Sequence, residues 1–317
     1  MFKYTRSEVI KIAKENDFIV NNTEKVLRLS SILNYFYTTS YGKYLSLKGG
    51  TAINLFLLDL PRLSVDIDFD FSLNCSREEM LSIREKIKKD ISSYMQDEGY
   101  SLSDRSKFVH TLDSFVFSYS TVSGSKDVLK IEINYSNRIH ILPIISDSRL
   151  LRLGEEVRVN RLSNLELIGT KVNALIVRTT PRDLYDTYNL FKNGIDNLEF
   201  VKKIAIFYIS LSSDIPVDFE KVLNECISNI ESVNYNRLRE TVIPVLHKGE
   251  KIDIEGLKSS VLNLLKELFV LNNNEKEYIR KINSGIFDQR LLFEDFTNEE
   301  LKNHPMVIWK IKQMQSS

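Results

Sequence analysis

Between Val65 and Asp70 the chain alternates apolar and acidic residues, Val65-Asp66-Ile67-Asp68-Phe69-Asp70. In an extended strand successive side chains point to opposite faces, so Asp66 and Asp68 share one face while Val65, Ile67 and Phe69 fill the other. Asp70 continues the acidic face one residue pair further along. Like charges on one face repel, and a divalent cation turns that repulsion into attraction. Hard oxygen ligands of this kind suit Mg²⁺, which commonly bridges carboxylates to substrate phosphates. Upstream lies Leu47-Lys48-Gly49-Gly50-Thr51, a strand end, a glycine turn and the start of a helix. The two glycines open backbone conformations closed to other residues, so backbone amides and the Thr51 hydroxyl can approach a phosphate there.

Each motif alone has an ordinary reading, a tight turn for Gly49-Gly50 and a solvated edge strand for the aspartates. Together they favour metal-assisted nucleotide chemistry over a solvated edge. A third carboxylate, Glu132, lies between Ile131 and Ile133 on a segment that reads as a neighbouring strand. It serves either as a further metal ligand or base, or as a cross-strand partner for a lysine, and spacing does not separate the two.

At 317 residues the chain exceeds a typical single domain, and the expected division is 1–160 and 161–317. Helical patterns over 7–40, with Ser7 and Thr23 as N-caps, precede a strand at 44–48 and a helix over 51–58. A charged helix runs over 77–94. Strands at 115–121 and 128–135 pair through Gly124-Ser125-Lys126-Asp127. From Ser163 the pattern turns almost wholly helical, with Ser163-Asn164-Leu165-Glu166 as a capping box and Thr180-Pro181-Arg182-Asp183 as a second helix start. Further helices are predicted over 198–212, 217–232, 253–271 and 274–283. Asn272-Asn273-Asn274 reads as a polar turn and 313–317 as a frayed end.

Formal net charge is zero, which gives no general attraction to nucleic acid or membrane. Residues 138–182 are a local exception, with seven arginines and Lys171 against four acids. Such an excess suits a polyphosphate and an RNA backbone, although scattered surface ion pairs would look the same. Cys75 and Cys226 are too far apart in sequence for a disulfide framework or a zinc site, and the histidines at 110, 140, 247 and 304 lack ligand spacing. No apolar run approaches a bilayer span, and the first residues lack the apolar core of a signal peptide, so no membrane association and a cytoplasmic location are expected.

Lys48-Gly49-Gly50-Thr51-Ala52, then Arg62-Leu63-Ser64-Val65-Asp66-Ile67-Asp68, the lysine helix Lys171 to Arg178, and Arg182-Asp183-Leu184-Tyr185-Asp186 occur in that order. This set resembles the AbiEii/MenT toxin family of the DNA polymerase β-type nucleotidyltransferases, over roughly residues 40–190. The resemblance implies an α/β (α+β) fold: a polymerase β-like core with a small mixed sheet, and a C-terminal helical domain completing the cleft. It implies a metal-dependent nucleotidyltransferase, the toxin of a type IV toxin–antitoxin, abortive phage infection system. The reaction would move a nucleoside monophosphate from GTP or a pyrimidine triphosphate to an acceptor, the 3′ end of tRNA. The partners would be the nucleoside triphosphate, tRNA and a cognate antitoxin that regulates DNA. Asp66 and Asp68 then hold Mg²⁺, with Glu132 beside them. Gly49, Gly50, Thr51, Arg62, Ser64, Arg178 and Arg182 contact the nucleotide, and Lys171 neutralises its phosphates. Asp186 or Asp183 is the last functional acid, and Asp183 has the alternative of capping its own helix with Thr180. Rival readings are an enzyme of the same superfamily acting on a small molecule or protein, and a GTP-binding interaction protein without turnover.

Overall fold

The computed structural model describes residues 2–212, 215–294 and 298–316, so Ser317 of the expected frayed end lies outside the described residues. The chain forms two compact units. The first comprises Met1–Arg138, Ile144–Leu162 and Val245–Gly249, and the second Ile139–Pro143, Ser163–Pro244 and Glu250–Ser317.

The first unit opens with α1 (Arg6–Glu15) and α2 (Val20–Thr38), followed by β1 (Leu45–Lys48), the short α3 (Gly49–Ala52) and β2 (Asp66–Phe71). Next come α4 (Arg77–Asp97), β3 (Ser101–Leu102), β4 (Lys107–Val109), β5 (Leu112–Ser120), β6 (Lys126–Asn134), β7 (Ile145–Leu150) and β8 (Glu156–Arg161). Among the described residues these strands make one mixed sheet in the order β3-β5-β6-β2-β1-β8-β7, with β4 also on β5. β2 runs antiparallel to β1 and parallel to β6. The acidic strand is therefore central, which removes the edge-strand reading of Asp66 and Asp68.

Alternation sets this arrangement. Ile67, Phe69 and Phe71 are at most 3% exposed, and Phe69 meets Phe36 of α2 edge-on at 5.7 Å between ring centroids. α2 supplies Val26, Leu29, Leu33 and Phe36 from one stripe, the spacing of a helix that buries one face. The caps differ from those expected at Ser7 and Thr23. Thr5 caps α1, in a reciprocal box with Glu8, because the glutamate stands three residues after Thr5. Thr23 lies inside α2 and donates its hydroxyl to the Ile19 carbonyl at 3.1 Å.

The strands β7 and β8 carry no motif singled out in the sequence, yet β8 pairs in parallel with β1 and buries Val157 and Val159. The segment 245–249 also joins this unit. The Leu63 amide donates to the Val245 carbonyl at 2.7 Å, Arg62 bridges Leu246, and His247 stacks on Phe18 at 4.1 Å.

The second unit is helical: α5 (Asn164–Arg178), α6 (Pro181–Lys192), α7 (Leu198–Ser210), α8 (Phe219–Glu231), α9 (Tyr235–Thr241), α10 (Ile254–Leu268), α11 (Asn273–Ile282) and α12 (Pro305–Ser316). Two details depart from expectation. Asn272 is the N-cap of α11, boxed with Glu275, and Asn273 and Asn274 already belong to the helix. Residues 313–316 continue α12 rather than fraying.

Ser163 caps α5 by accepting the Glu166 amide, but the Glu166 carboxylate turns elsewhere. It accepts the Ile141 amide at 2.9 Å, the Leu142 amide at 3.0 Å and the Tyr208 hydroxyl at 2.7 Å. This fully buried carboxylate ties the segment 139–143 to α5 and α7. Glu166→Ala strands these donors in a dry interior, so urea unfolding should report a loss of about 3 kcal/mol.

Candidate active site

β1 ends at Lys48, and the chain turns through Gly49 at φ +67° into α3. That conformation suits glycine, and a second constraint acts at the same atom. A Cβ on Gly49 would lie 2.8 Å from Asp68 Oδ2. The backbone of the turn thus closes directly over the carboxylate. Gly49→Ala is expected to displace the Asp68 side chain and cut transfer activity by at least about tenfold, with a fall in Tm from the strained φ; wild-type kinetics in this variant would show that the contact is idle.

Asp66 and Asp68 stand on one face of β2, and Asp68 lies beside Glu132 in the parallel register with β6. Both Asp66 and Asp68 are half-buried. Burial pushes the Asp68 carboxyl up to about 6, with Lys48 opposing, Asp66 and Glu132 reinforcing, and Lys130 opposing. Asp70 is buried and also raised by burial against the pull of Lys48. Its carboxylate accepts from Lys48 Nζ at 2.6 Å. Glu132 forms an ion pair with Lys130 at 2.8 Å, the lysine partnership left open from the sequence, although on its own strand. Lys48, Lys130 and the pairing of Asp70 were not singled out in the sequence.

Thr51 and Ser64 are turned inward. Thr51 is fully buried, donates its hydroxyl to the Asp66 carbonyl and lies 2.9 Å from the Ser64 hydroxyl. That places the Thr51 hydroxyl between the turn and the first residue of β2, where it fixes one against the other. Arg62 is 2% exposed and donates from Nη1 to the Leu63 carbonyl at 3.0 Å. Gly50 accepts at its carbonyl from Asn54 Nδ2 at 2.8 Å.

The remaining expected site residues belong to the second unit. Lys171 Nζ donates to Asp183 Oδ1 at 3.0 Å and to Asp186 Oδ2 at 2.9 Å. All three side chains are at most 4% exposed. Arg178 reaches Asp183 with both Nε, at 2.7 Å, and Nη2, at 2.8 Å. Thr180 caps α6 by accepting the Asp183 amide and donates its hydroxyl to Asp183 Oδ2 at 2.6 Å. Asp183 therefore has both its capping partner and the cations. Burial would raise its carboxyl, but Lys171, Arg178 and Thr180 together hold it well below the usual carboxylate range. A left-handed turn at Thr179, φ +44°, joins α5 to α6 and brings the lysine and the two aspartates together. Arg182 donates to the Thr241 carbonyl at 2.9 Å.

A family model described as nucleotidyl transferase AbiEii toxin, type IV toxin–antitoxin system, matches residues 31–259. The chain belongs to this family. The AbiEii span takes in the glycine turn, the carboxylate strand and the Lys171 cluster together, and it identifies the chain as a nucleotidyltransferase toxin of a type IV toxin–antitoxin system. Such a toxin has a nucleoside triphosphate substrate and an antitoxin partner. MenT4, a nucleotidyltransferase toxin from Mycobacterium tuberculosis H37Rv, has a similar fold: TM-score 0.63 at 14% identity, over 98% of this chain and 99% of that one. A presumed nucleotidyltransferase of H. pylori, 19% identical, aligns over 78% of this chain and 93% of its own at a TM-score of 0.39, too distant in shape to add weight. No curated protein sequence matches. Among the described residues of this AbiEii-family chain, no helix is long and apolar enough to cross a membrane, and no group of three His, Cys, Asp or Glu side chains is placed to hold a metal ion.

Proposed function

We propose that this toxin transfers a nucleoside monophosphate from GTP or a pyrimidine triphosphate to the 3′ end of tRNA, with Mg²⁺ as the metal, in the cytoplasm, as a defence against phage. The observation that carries the reading is the closure of the Gly49 turn over Asp68, which sets backbone amides beside two central carboxylates. An acceptor hydroxyl attacks the α-phosphorus, the bond to the β-phosphate breaks, and pyrophosphate leaves.

The donor set fits a hard cation. Mg²⁺ takes one or two carboxylates and completes its shell with water and substrate phosphates, so Asp66 and Asp68 suffice as protein ligands. Bound there, the cation would offset charge on the reacting phosphates. Gly49 and Gly50 present backbone to the phosphates, while Thr51, Ser64 and Arg62 keep the turn and β2 in register. In the helical unit, Arg178 is the accessible cation, its side chain 62% exposed. Lys171 reaches a phosphate only by leaving Asp183 or Asp186, and Asp186 acts as its acidic partner.

Purified toxin is incubated with each of the four α-labelled nucleoside triphosphates and total RNA. Label on tRNA 3′ ends, lost in Asp66→Ala together with growth arrest on induction, is the expected result. Label confined to protein or small molecules would overturn the acceptor. Growth arrest that persists in Asp66→Ala would overturn the enzymatic reading.

A further inference from the structure

Around Asp68 the sheet gathers more charge than metal binding requires. Asp66, Asp68 and Asp70 follow one another on a face of β2, Lys48 is the cross-strand neighbour of Asp68, and Lys130 and Glu132 lie alongside on β6 in register with Asp66 and Asp68. These six groups are four carboxylates and two ammoniums, a net of two negative charges when all are ionised. The ammoniums are not distributed at random. Lys48 is bonded to Asp70 at 2.6 Å, with the Asp70 side chain 3% exposed, and Lys130 is bonded to Glu132 at 2.8 Å.

We infer that Asp70 and Glu132 are counter-charges for Lys48 and Lys130 rather than metal ligands, so that this face takes a single divalent cation on Asp66 and Asp68. The inference rests on the nucleotidyltransferase reading of the face and assigns roles within it. Three arguments support it. Each pair is locally neutral, which leaves a net of two negative charges for one cation to cancel. A second cation on this face would need Glu132 or Asp70 as ligand, and each would have to release an ammonium that then faces the incoming ion across a few ångströms of sheet. Asp70 is also sunk in the sheet, where its carboxylate is held by a lysine that shares the strand end with the Gly49 turn. Lys48 is thereby a positioning residue: its stem leaves the backbone immediately before Gly49, and its ion pair fixes that strand end to β2.

The test is Mn²⁺ binding to the full chain without nucleotide, followed by electron paramagnetic resonance and isothermal titration, with circular dichroism and Tm recorded for every variant. Wild type should bind one ion, and Asp68→Asn should lose it. Glu132→Gln alone should weaken binding by about tenfold, because Lys130 is left uncompensated beside the cation. Adding Lys130→Met to Glu132→Gln should restore affinity to within about threefold of wild type, the non-additivity expected of a neutral pair. Lys48→Met with Asp70→Asn should behave in the same way relative to Asp70→Asn. Two ions per wild-type chain, no ion at all, or a Glu132→Gln loss that Lys130→Met does not rescue would each overturn the assignment. Transfer of labelled nucleotide is read separately, so loss of that activity in wild type would count against the proposed function and not against the ligand roles.

Discussion

Replacing Asp68 with asparagine is expected to lower nucleotidyl transfer by roughly 10²- to 10³-fold and to leave the protein as stable as before, or more so. The activity term follows from its place under the Gly49 turn, where it is the carboxylate nearest the proposed phosphate site. The stability term follows from its raised carboxyl. Burial pushes Asp68 to about 6, above its ordinary range, so the folded state prefers the neutral form. Its contribution to stability is then complete below the unfolded value of about 4 and is lost as pH rises through about 6. At neutral pH the fold carries an ionised carboxylate that burial disfavours, and asparagine removes that burden. Tm measured from pH 4 to pH 8 should fall less with rising pH in Asp68→Asn than in wild type. A variant that loses activity because it unfolds would contradict this account.

Lys171→Met should have the largest effect on stability. The ammonium bonds two aspartates that are at most 1% exposed. Removing one partner from a buried ion cluster typically costs about 3–5 kcal/mol, because the remaining charges keep their desolvation penalty without compensation. Arg178 and Thr180 still reach Asp183, so Asp186 bears most of the loss. Lys171→Met combined with Asp186→Leu should recover part of the stability in urea unfolding and none of the transfer activity. Acid sensitivity follows from Asp183, whose carboxyl is depressed in the fold. Its stabilisation is present above the unfolded value of about 4 and lost as pH falls below that value towards the depressed folded one. Lys171→Met should therefore flatten the acid limb of the stability profile.

The parts of the site that were legible in the sequence are local. Alternation from Val65 to Asp70 gave both the strand and its acidic face, and Gly49-Gly50 marked the turn, because period and backbone freedom are properties of consecutive residues. Pro181 at the first helical position and Thr180 before it located α6 for the same reason. What escaped depends on pairing across the sheet. Nothing near Lys48 reveals that its partner is Asp70, twenty-two positions away and adjacent only once β1 and β2 run antiparallel. β7 and β8 were missed because β7 is half-exposed at the sheet margin and mixes Ser146, Asp147, Ser148 and Arg149 with few apolar residues. Glu166 matched a capping box by position, yet its carboxylate serves amides at 141 and 142 that lie twenty-four and twenty-five residues earlier. Thr51 shows a further limit: a hydroxyl beside a glycine turn suits a phosphate, and burial decides that it binds the backbone of β2 instead.

The return of 245–249 to the sheet unit makes the two units topologically inseparable. A fragment ending at Leu162 would contain every strand but would lack the carbonyl that satisfies the Leu63 amide and the backbone that bridges Arg62, immediately before the carboxylate strand. It would also lose the His247 ring from Phe18. The catalytic sheet therefore cannot be exchanged as a cassette by recombination at one junction: a viable graft needs cuts on both sides of the returning segment, so the helical unit and the sheet must be inherited together.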